Sequence, residues 1–202
     1  MNNSISLMQR ALGKDWFNLP TVIQRHYQLT EAEQTITVIG KMNISYPCWL
    51  APVLKLLRLL GALVDIKGED MDVQVRKWRQ SDPSTLYWQR DIQAKNGKQC
   101  QFVSRMVWQR DHELIEFVGF GFGIRLKLSV EQNKLVYRSQ GHLLKLGSLT
   151  VPIPDCLVLG HAVITEQALS ENTFQLDFMI VHPLWGKTYY YGGIFEVPKE
   201  TK

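Results

Sequence analysis

Residues 85–109 read TLYWQRDIQAKNGKQCQFVSRMVWQ, and the fold class follows from how they alternate. Leu86, Trp88, Arg90 and Ile92 fall on one face of an extended segment, since successive strand side chains point to opposite sides. Asn96-Gly97 then interrupts, and a second alternating run begins at Gln99. An Asn-Gly pair between two such runs is the strongest short-range hairpin signal and predicts a type I′ turn. A two-residue loop there pairs Arg90 with Val103 and Trp88 with Arg105. A bulge instead brings Phe102, Ser104 and Met106 onto the face of Trp88 and Arg90.

The same pattern repeats outward from this hairpin. Strands are predicted at Met71–Gln80, Thr85–Gln93, Gln99–Gln109, Glu113–Gly119, Phe122–Val130, Lys134–His142, Val158–Glu166, Thr173–His182 and Thr188–Val197. Short polar, Gly or Pro punctuation separates them, with no helix between, so neighbours are antiparallel. An earlier strand spans Thr35 to Ile44. A sheet of nine or ten strands curls into a barrel or half-barrel, or splits into layers.

Helical signals lie at the front of the chain. Ile5 to Tyr27 carries apolar residues at helical spacing, broken near Gly13 and at Leu19-Pro20. Trp49 to Asp65 reads as one helix whose stripe of Leu50, Val53, Leu54, Leu57, Leu60 and Val64 is widened by Leu56, Leu59 and Leu63. So little of its surface is polar that it must be covered, against the concave side of the sheet or across an open mouth. The expectation is an α+β protein: a large curved antiparallel sheet with N-terminal helices and one leucine-rich helix packed on it, 1-202 as a single domain.

Composition excludes more than it assigns. The chain of 202 residues is 45% hydrophobic and 21% charged, with a net charge of +4, and its Lys and Arg are dispersed. No basic run is interleaved with stacking aromatics, so nucleic-acid binding is not expected. No apolar h-region follows the N-terminal charges, and no stretch reaches the roughly 18 apolar residues of a spanning helix. Cys48, Cys100 and Cys156 lack the CxxC spacing of zinc or redox sites and fit thiols in a reducing, cytoplasmic setting. His26, His112, His142, His161 and His182 show no HxxxH or HExxH spacing, so no metal and no cofactor is expected. Gly119 to Gly123 alternates glycine and phenylalanine, but no helix follows to make it a phosphate loop; it reads as a curved strand or bulge.

Polar and aromatic residues on the predicted inner faces point to a lined cavity, because a sheet that only fills a core has little use for them. Trp88 and Arg90 come first; an inward guanidinium requires a carboxylate or a ligand anion. The competing reading is an outward Arg stacked on Trp, or an ion pair with Glu113 or Glu116. The last hairpin comes second. Phe174, Leu176, Phe178, Ile180 and His182 share one face of its first strand, and Tyr189, Tyr191 and Phe195 one face of its second. Tyrosines beside Gly192-Gly193 suit a pocket wall, and equally suit aromatic cross-strand pairing in a curved sheet.

Leu19-Pro20 with His26, Trp88-Gln89-Arg90, Phe102 with Ser104, Tyr137-Arg138-Ser139-Gln140-Gly141, and His182-Pro183 with Gly186, Tyr191 and Gly193 occur in that order. In this arrangement the chain resembles the bacterial domain-of-unknown-function family numbered 4166. In that family the domain occurs alone or joined to NAD-binding reductase-like or epimerase-like domains, and here it is expected to stand alone. The resemblance supplies no activity. It adds Ser104 and Ser139 to Arg90, His182 and Tyr191 as pocket residues.

The function expected from these features is a non-catalytic binding protein for an apolar or amphipathic, lipid-like small molecule. Trp88, Arg90, Ser104, Ser139, His182, Tyr189 and Tyr191 would line its cavity. The alternatives are an enzyme on a similar substrate, with His182 or Tyr191 in acid–base roles, or a module that contacts a protein or membrane surface through helix 49-65 and its Lys55 and Arg58.

Overall fold

The computed structural model describes residues 5–32, 34–59 and 61–198. Eleven strands run in chain order: β1 (Thr35–Ser45), β2 (Gly68–Trp78), β3 (Thr85–Gln93), β4 (Gln99–Arg110), β5 (Glu113–Phe117), β6 (Phe122–Glu131), β7 (Lys134–Leu146), β8 (Leu149–Ile153), β9 (His161–Ala168), β10 (Thr173–His182) and β11 (Gly186–Glu196). Each pairs antiparallel with the next, except that β9 joins β7, and β11 returns to β1. Ten strands thus close a barrel, while β8 extends the end of β7 as a two-stranded ribbon.

Closure follows from the alternation. On β2, Met71, Val73, Val75 and Lys77 point into the lumen, while Asp72, Gln74 and Arg76 face outward. Polar outer walls and a buried lumen give the barrel its single core. Among the described residues, no helix is long and apolar enough to cross a membrane.

The helices close the two ends. Leu7–Leu12 (α1), a 3-10 turn over Gly13–Asn18 and Thr21–Tyr27 (α2) plug the end where β2 finishes and β3 begins. Ser6 caps α1 by accepting from Gln9 N–H at 3.1 Å. Arg25 of α2 donates to the Glu171 carbonyl and to Asn172, pinning the plug to the β9–β10 turn. Leu7, Met8, Leu12, Trp16 and Ile23 are buried beneath it.

The leucine-rich helix lies across the opposite mouth but is shorter than the sequence predicts. A 3-10 turn over Cys48–Leu50 leads into α3 (Ala51–Leu59), and the expected continuation to Asp65 does not form. Gly61, with φ of +65°, bonds back to the Arg58 carbonyl, and Ala62 N–H reaches the Leu57 carbonyl. Those two bonds are the left-handed glycine stop that ends helices. Leu60 lies outside the described residues, as does the side chain of Cys156. Leu50, Leu54, Val64 and Ile66 are buried over the mouth, and Tyr189 Oη donates to the Val64 carbonyl at 2.9 Å.

Three local expectations are corrected. The 94–98 connection is not a type I′ turn: Gly97 alone takes positive φ, and Ala94 N–H bonds to the Lys98 carbonyl. That three-residue loop with a bulge shifts the register, so Trp88 pairs with Ser104 and Arg90 with Phe102. Strand β7 runs past His142 to Leu146, and β8 follows in a segment for which no strand was predicted. Gly119–Gly121 is a 3-10 turn with Phe120 at φ 53°, between strands rather than inside one.

Candidate functional site

The bulged register places Trp88, Arg90 and Ser104 on the lumen side, and there they form one connected group. Arg90 donates to Ser104 Oγ at 3.0 Å, and Ser104 donates to Glu116 Oε1 at 2.7 Å. The guanidinium also lies 3.5 Å from Glu116. It sits over the rings of Trp88 and Phe102, at 4.9 and 5.4 Å. Arg90 thus points inward, and it makes the ion pair with Glu116 and the Trp88 contact that the competing reading offered. Burial lowers the guanidinium pKa, and Tyr191 and Glu116 more than offset it, so Arg90 stays charged while only 9% exposed.

Beside this group sits a second one. Lys77 Nζ donates to the carbonyl of His26 and lies 2.7 Å from His26 Nδ1. Its ammonium rests over Tyr27 and Trp88 at 4.7 and 4.9 Å. Burial drives both the Lys77 and the His26 pKa well down; Lys77 and Arg90 lower that of His26 further, while for Lys77 the Glu166 charge pulls up against Arg90. Assigning Lys77 as the donor to Nδ1 puts the imidazole proton on Nε2.

A third group faces them across the lumen. Tyr27 donates to Glu166 Oε1 at 2.6 Å, and the hydroxyls of Tyr27 and Tyr137 are 2.6 Å apart. Glu166 is 2% exposed, and burial raises its pKa to about 7 against the opposing pull of Tyr27, Lys77 and Arg90. A carboxyl poised near neutrality can give or take a proton at physiological pH.

Between these groups the lumen holds a cavity of about 20 Å³, lined by His26, Trp88, Arg90 and Tyr191 on its polar side and by Val38, Met42 and Leu176 among its apolar neighbours. That is room for one water-sized group. Trp88 Nε1 and His26 Nε2, both on residues lining it, are buried with no hydrogen-bond partner. A larger depression, of about 1150 Å³, lies on the outer wall over Ile39, Lys41, Asp72 and Gln74. Among its charged members, Lys41 pairs with Asp72 and Asp70 with Lys95 at the exposed surface, and Asp91 accepts from Gln89 and Gln101.

The remaining sequence candidates are placed as follows. Tyr191 lines the cavity and stacks on Phe178 with ring centres 4.6 Å apart; burial raises its pKa to about 12. Tyr189 is next along the lumen toward α3, where its hydroxyl holds the cap. Ser139 accepts the Ala162 N–H at 2.9 Å, so its hydroxyl serves the β7–β9 seam. His182 sits at the β10–β11 turn, accepts from Leu184 N–H and stacks on Trp185. The structure therefore joins Trp88, Arg90, Ser104 and Tyr191, continues them through Tyr189, and leaves Ser139 and His182 apart.

Tyr27, Lys77 and Glu166 were not singled out from sequence, and His26 and Tyr137 entered only through the family resemblance, not as pocket residues. For Lys77 and Glu166 a signal existed: each continues an inward alternation, after Met71-Val73-Val75 and after Ala162-Ile164. His26 and Tyr27 reach the lumen only because α2 plugs it.

The chain belongs to the family described as Domain of unknown function (DUF4166), matched over residues 19–195. The matched span starts after α1 and takes in α2 and almost the whole barrel, including every lumen group above. No curated protein matches the chain.

Proposed function

We propose that this DUF4166 barrel binds a small amphipathic, lipid-like molecule with an acidic head, such as a fatty-acyl or isoprenoid acid. One observation carries the reading: three buried donors, Arg90, Trp88 Nε1 and His26 Nε2, belong to residues around one cavity, and the last two have no acceptor. An unpaired buried donor costs about 1–3 kcal/mol, which a stability-driven lumen would avoid with aliphatic residues. An acceptor-only group such as a carboxylate complements all three. The tail then follows Leu176, Phe178 and Tyr189 toward α3, displacing side chains as the cap moves off the mouth. The exposed thiol of Cys48 and the buried thiol of Cys100, both free, agree with a cytoplasmic setting.

An enzyme acting on the same class of molecule is favoured by a different observation, the Glu166–Tyr27–Tyr137 group with its carboxyl near pH 7. In that reading Glu166 takes the acid–base role expected of His182 or Tyr191.

Titration with a long-chain carboxylic acid and the matching alcohol, followed by calorimetry, tests the binding reading. Arg90→Leu should weaken the acid by about 10-fold or more and leave the alcohol within a factor of about 2. Equal losses for both ligands would remove Arg90 from the head site.

A further inference from the structure

At the mouth covered by α3, five segments turn large apolar side chains to solvent. Trp49 and α3 present Val53, Leu56 and Leu59, the last 76% exposed. The 119–121 turn adds Phe120, the β7–β8 ribbon adds Leu146 and Leu149, the 155–157 turn adds Leu157, and the β10–β11 turn adds Trp185 and Leu184, which is 80% exposed. Several of these segments touch one another. The rings of Trp49 and Trp185 meet edge to face at 5.3 Å. Gly119 N–H donates to the Gly61 carbonyl at 3.1 Å, and a side chain at Gly121 would strike the Lys145 carbonyl. At the plugged end the exposed large apolar residues are Ile5, Phe17 and Leu169.

Charge at the same rim is biased. Lys55, Lys67, Lys145 and Lys187 are exposed there, and Lys145 and Arg105 over the Phe117 ring carry the basic surface onto the wall. The carboxylates at this end are mostly committed: Asp65 to Arg58 at 2.7 Å, Asp70 to Lys95 at 3.0 Å, and Asp155 between His142 and His161 at 2.7 and 2.9 Å. Glu69 is a further exposed carboxylate at this end.

Exposed apolar surface on this scale marks an interaction site. The apolar side chains belong to five separate segments with exposed lysines among them, and that charge selects the partner. Lysines around apolar tips suit anionic headgroups, because their stems stay in the apolar layer while the amines reach the phosphates. We infer that this end of the barrel docks on an anionic lipid membrane, with Trp49, Leu56, Leu149 and Trp185 at the headgroup–acyl boundary and Lys55, Lys145 and Lys187 on the headgroups. The docking stands whether or not the lumen holds a ligand.

Vesicle flotation tests it, using phosphatidylcholine with roughly one-third phosphatidylglycerol against phosphatidylcholine alone. The protein should float with the anionic vesicles, and high salt or removal of the anionic lipid should release most of it. The double variant Lys145→Glu/Lys187→Glu should lower partitioning by about 10-fold or more, counting each basic residue at the surface. Trp185→Ser should lower it about 10-fold, and Leu149→Ser, on the ribbon outside the barrel, repeats that test at a site the fold does not need. Ile39→Ser on the barrel wall and Arg90→Leu in the lumen should float as the native protein does, the latter separating docking from lumen binding. A protein that stays unbound with both vesicle types, or tip variants that partition like the native chain, would overturn the inference. So would concentration-dependent dimerisation without vesicle binding, which assigns the rim to a second copy.

Discussion

Replacing Glu166 with Gln should abolish a specific pH dependence of stability. The native carboxyl has its pKa raised from 4.5 to about 7, chiefly by burial. Between those values the folded chain holds a proton that the unfolded chain releases. The stability it confers is therefore complete below about pH 4.5 and is lost as pH rises through 7. At about 1.4 kcal/mol per pKa unit, the difference amounts to about 3 kcal/mol by pH 8. No screening discount applies, because Glu166 is 2% exposed. His26 and Lys77, whose pKa values are lowered, pull the other way: each destabilises the fold as pH falls below its unfolded value. Both remain in the variant, but Glu166 holds the Lys77 pKa up, so the difference between the two proteins reports Glu166 together with its coupling to Lys77. Urea unfolding at steps from about pH 4 to about pH 8 should show the gap shifting by about 3 kcal/mol in favour of Glu166→Gln. A constant offset between the two chains would refute the buried carboxyl as the source.

Further outcomes follow from single contacts. Ser104→Ala removes the hydroxyl that bonds both Arg90 and Glu116 and leaves only their 3.5 Å ion pair, so chemical denaturation should show a loss of about 1–3 kcal/mol. Tyr189→Phe frees the Val64 carbonyl, so amide exchange of the 61–67 segment should quicken in line with a loss of about 1 kcal/mol. At Gly193 an added Cβ would collide with the Lys41 carbonyl across the β1–β11 seam; Gly193→Ala should cost about 3 kcal/mol or more in thermal unfolding, as overpacking against backbone does.

The barrel was legible because its strands alternate cleanly. Met71 to Lys77 and Leu86 to Ile92 each carry their inward set at period two, and such sets belong to a sheet with one buried face. The helix over the mouth was legible from its leucine stripe, but its end was not, since Gly61 acts as a stop only in its left-handed conformation. Strand β8 escaped because Leu149, Thr150, Val151 and Pro152 are all exposed, so no face of it was selected for burial. The site was half visible. Trp88, Arg90 and Tyr191 betrayed themselves as polar or aromatic residues among aliphatic ones, and Ser104 came from the family resemblance. Lys77 and Glu166 stood in equally suggestive positions, yet their partners His26 and Tyr27 lie about 50 and 139 residues away in the chain, where only closure of the barrel by its N-terminal plug unites them.

The central claim is that the donors around the lumen cavity take the head of an amphipathic acid. Native mass spectrometry of the protein with excess long-chain carboxylic acid tests it most directly. The account predicts a 1:1 complex for the native chain, sharply reduced by Arg90→Leu. Bare protein alone, at ligand concentrations well above micromolar, would contradict it.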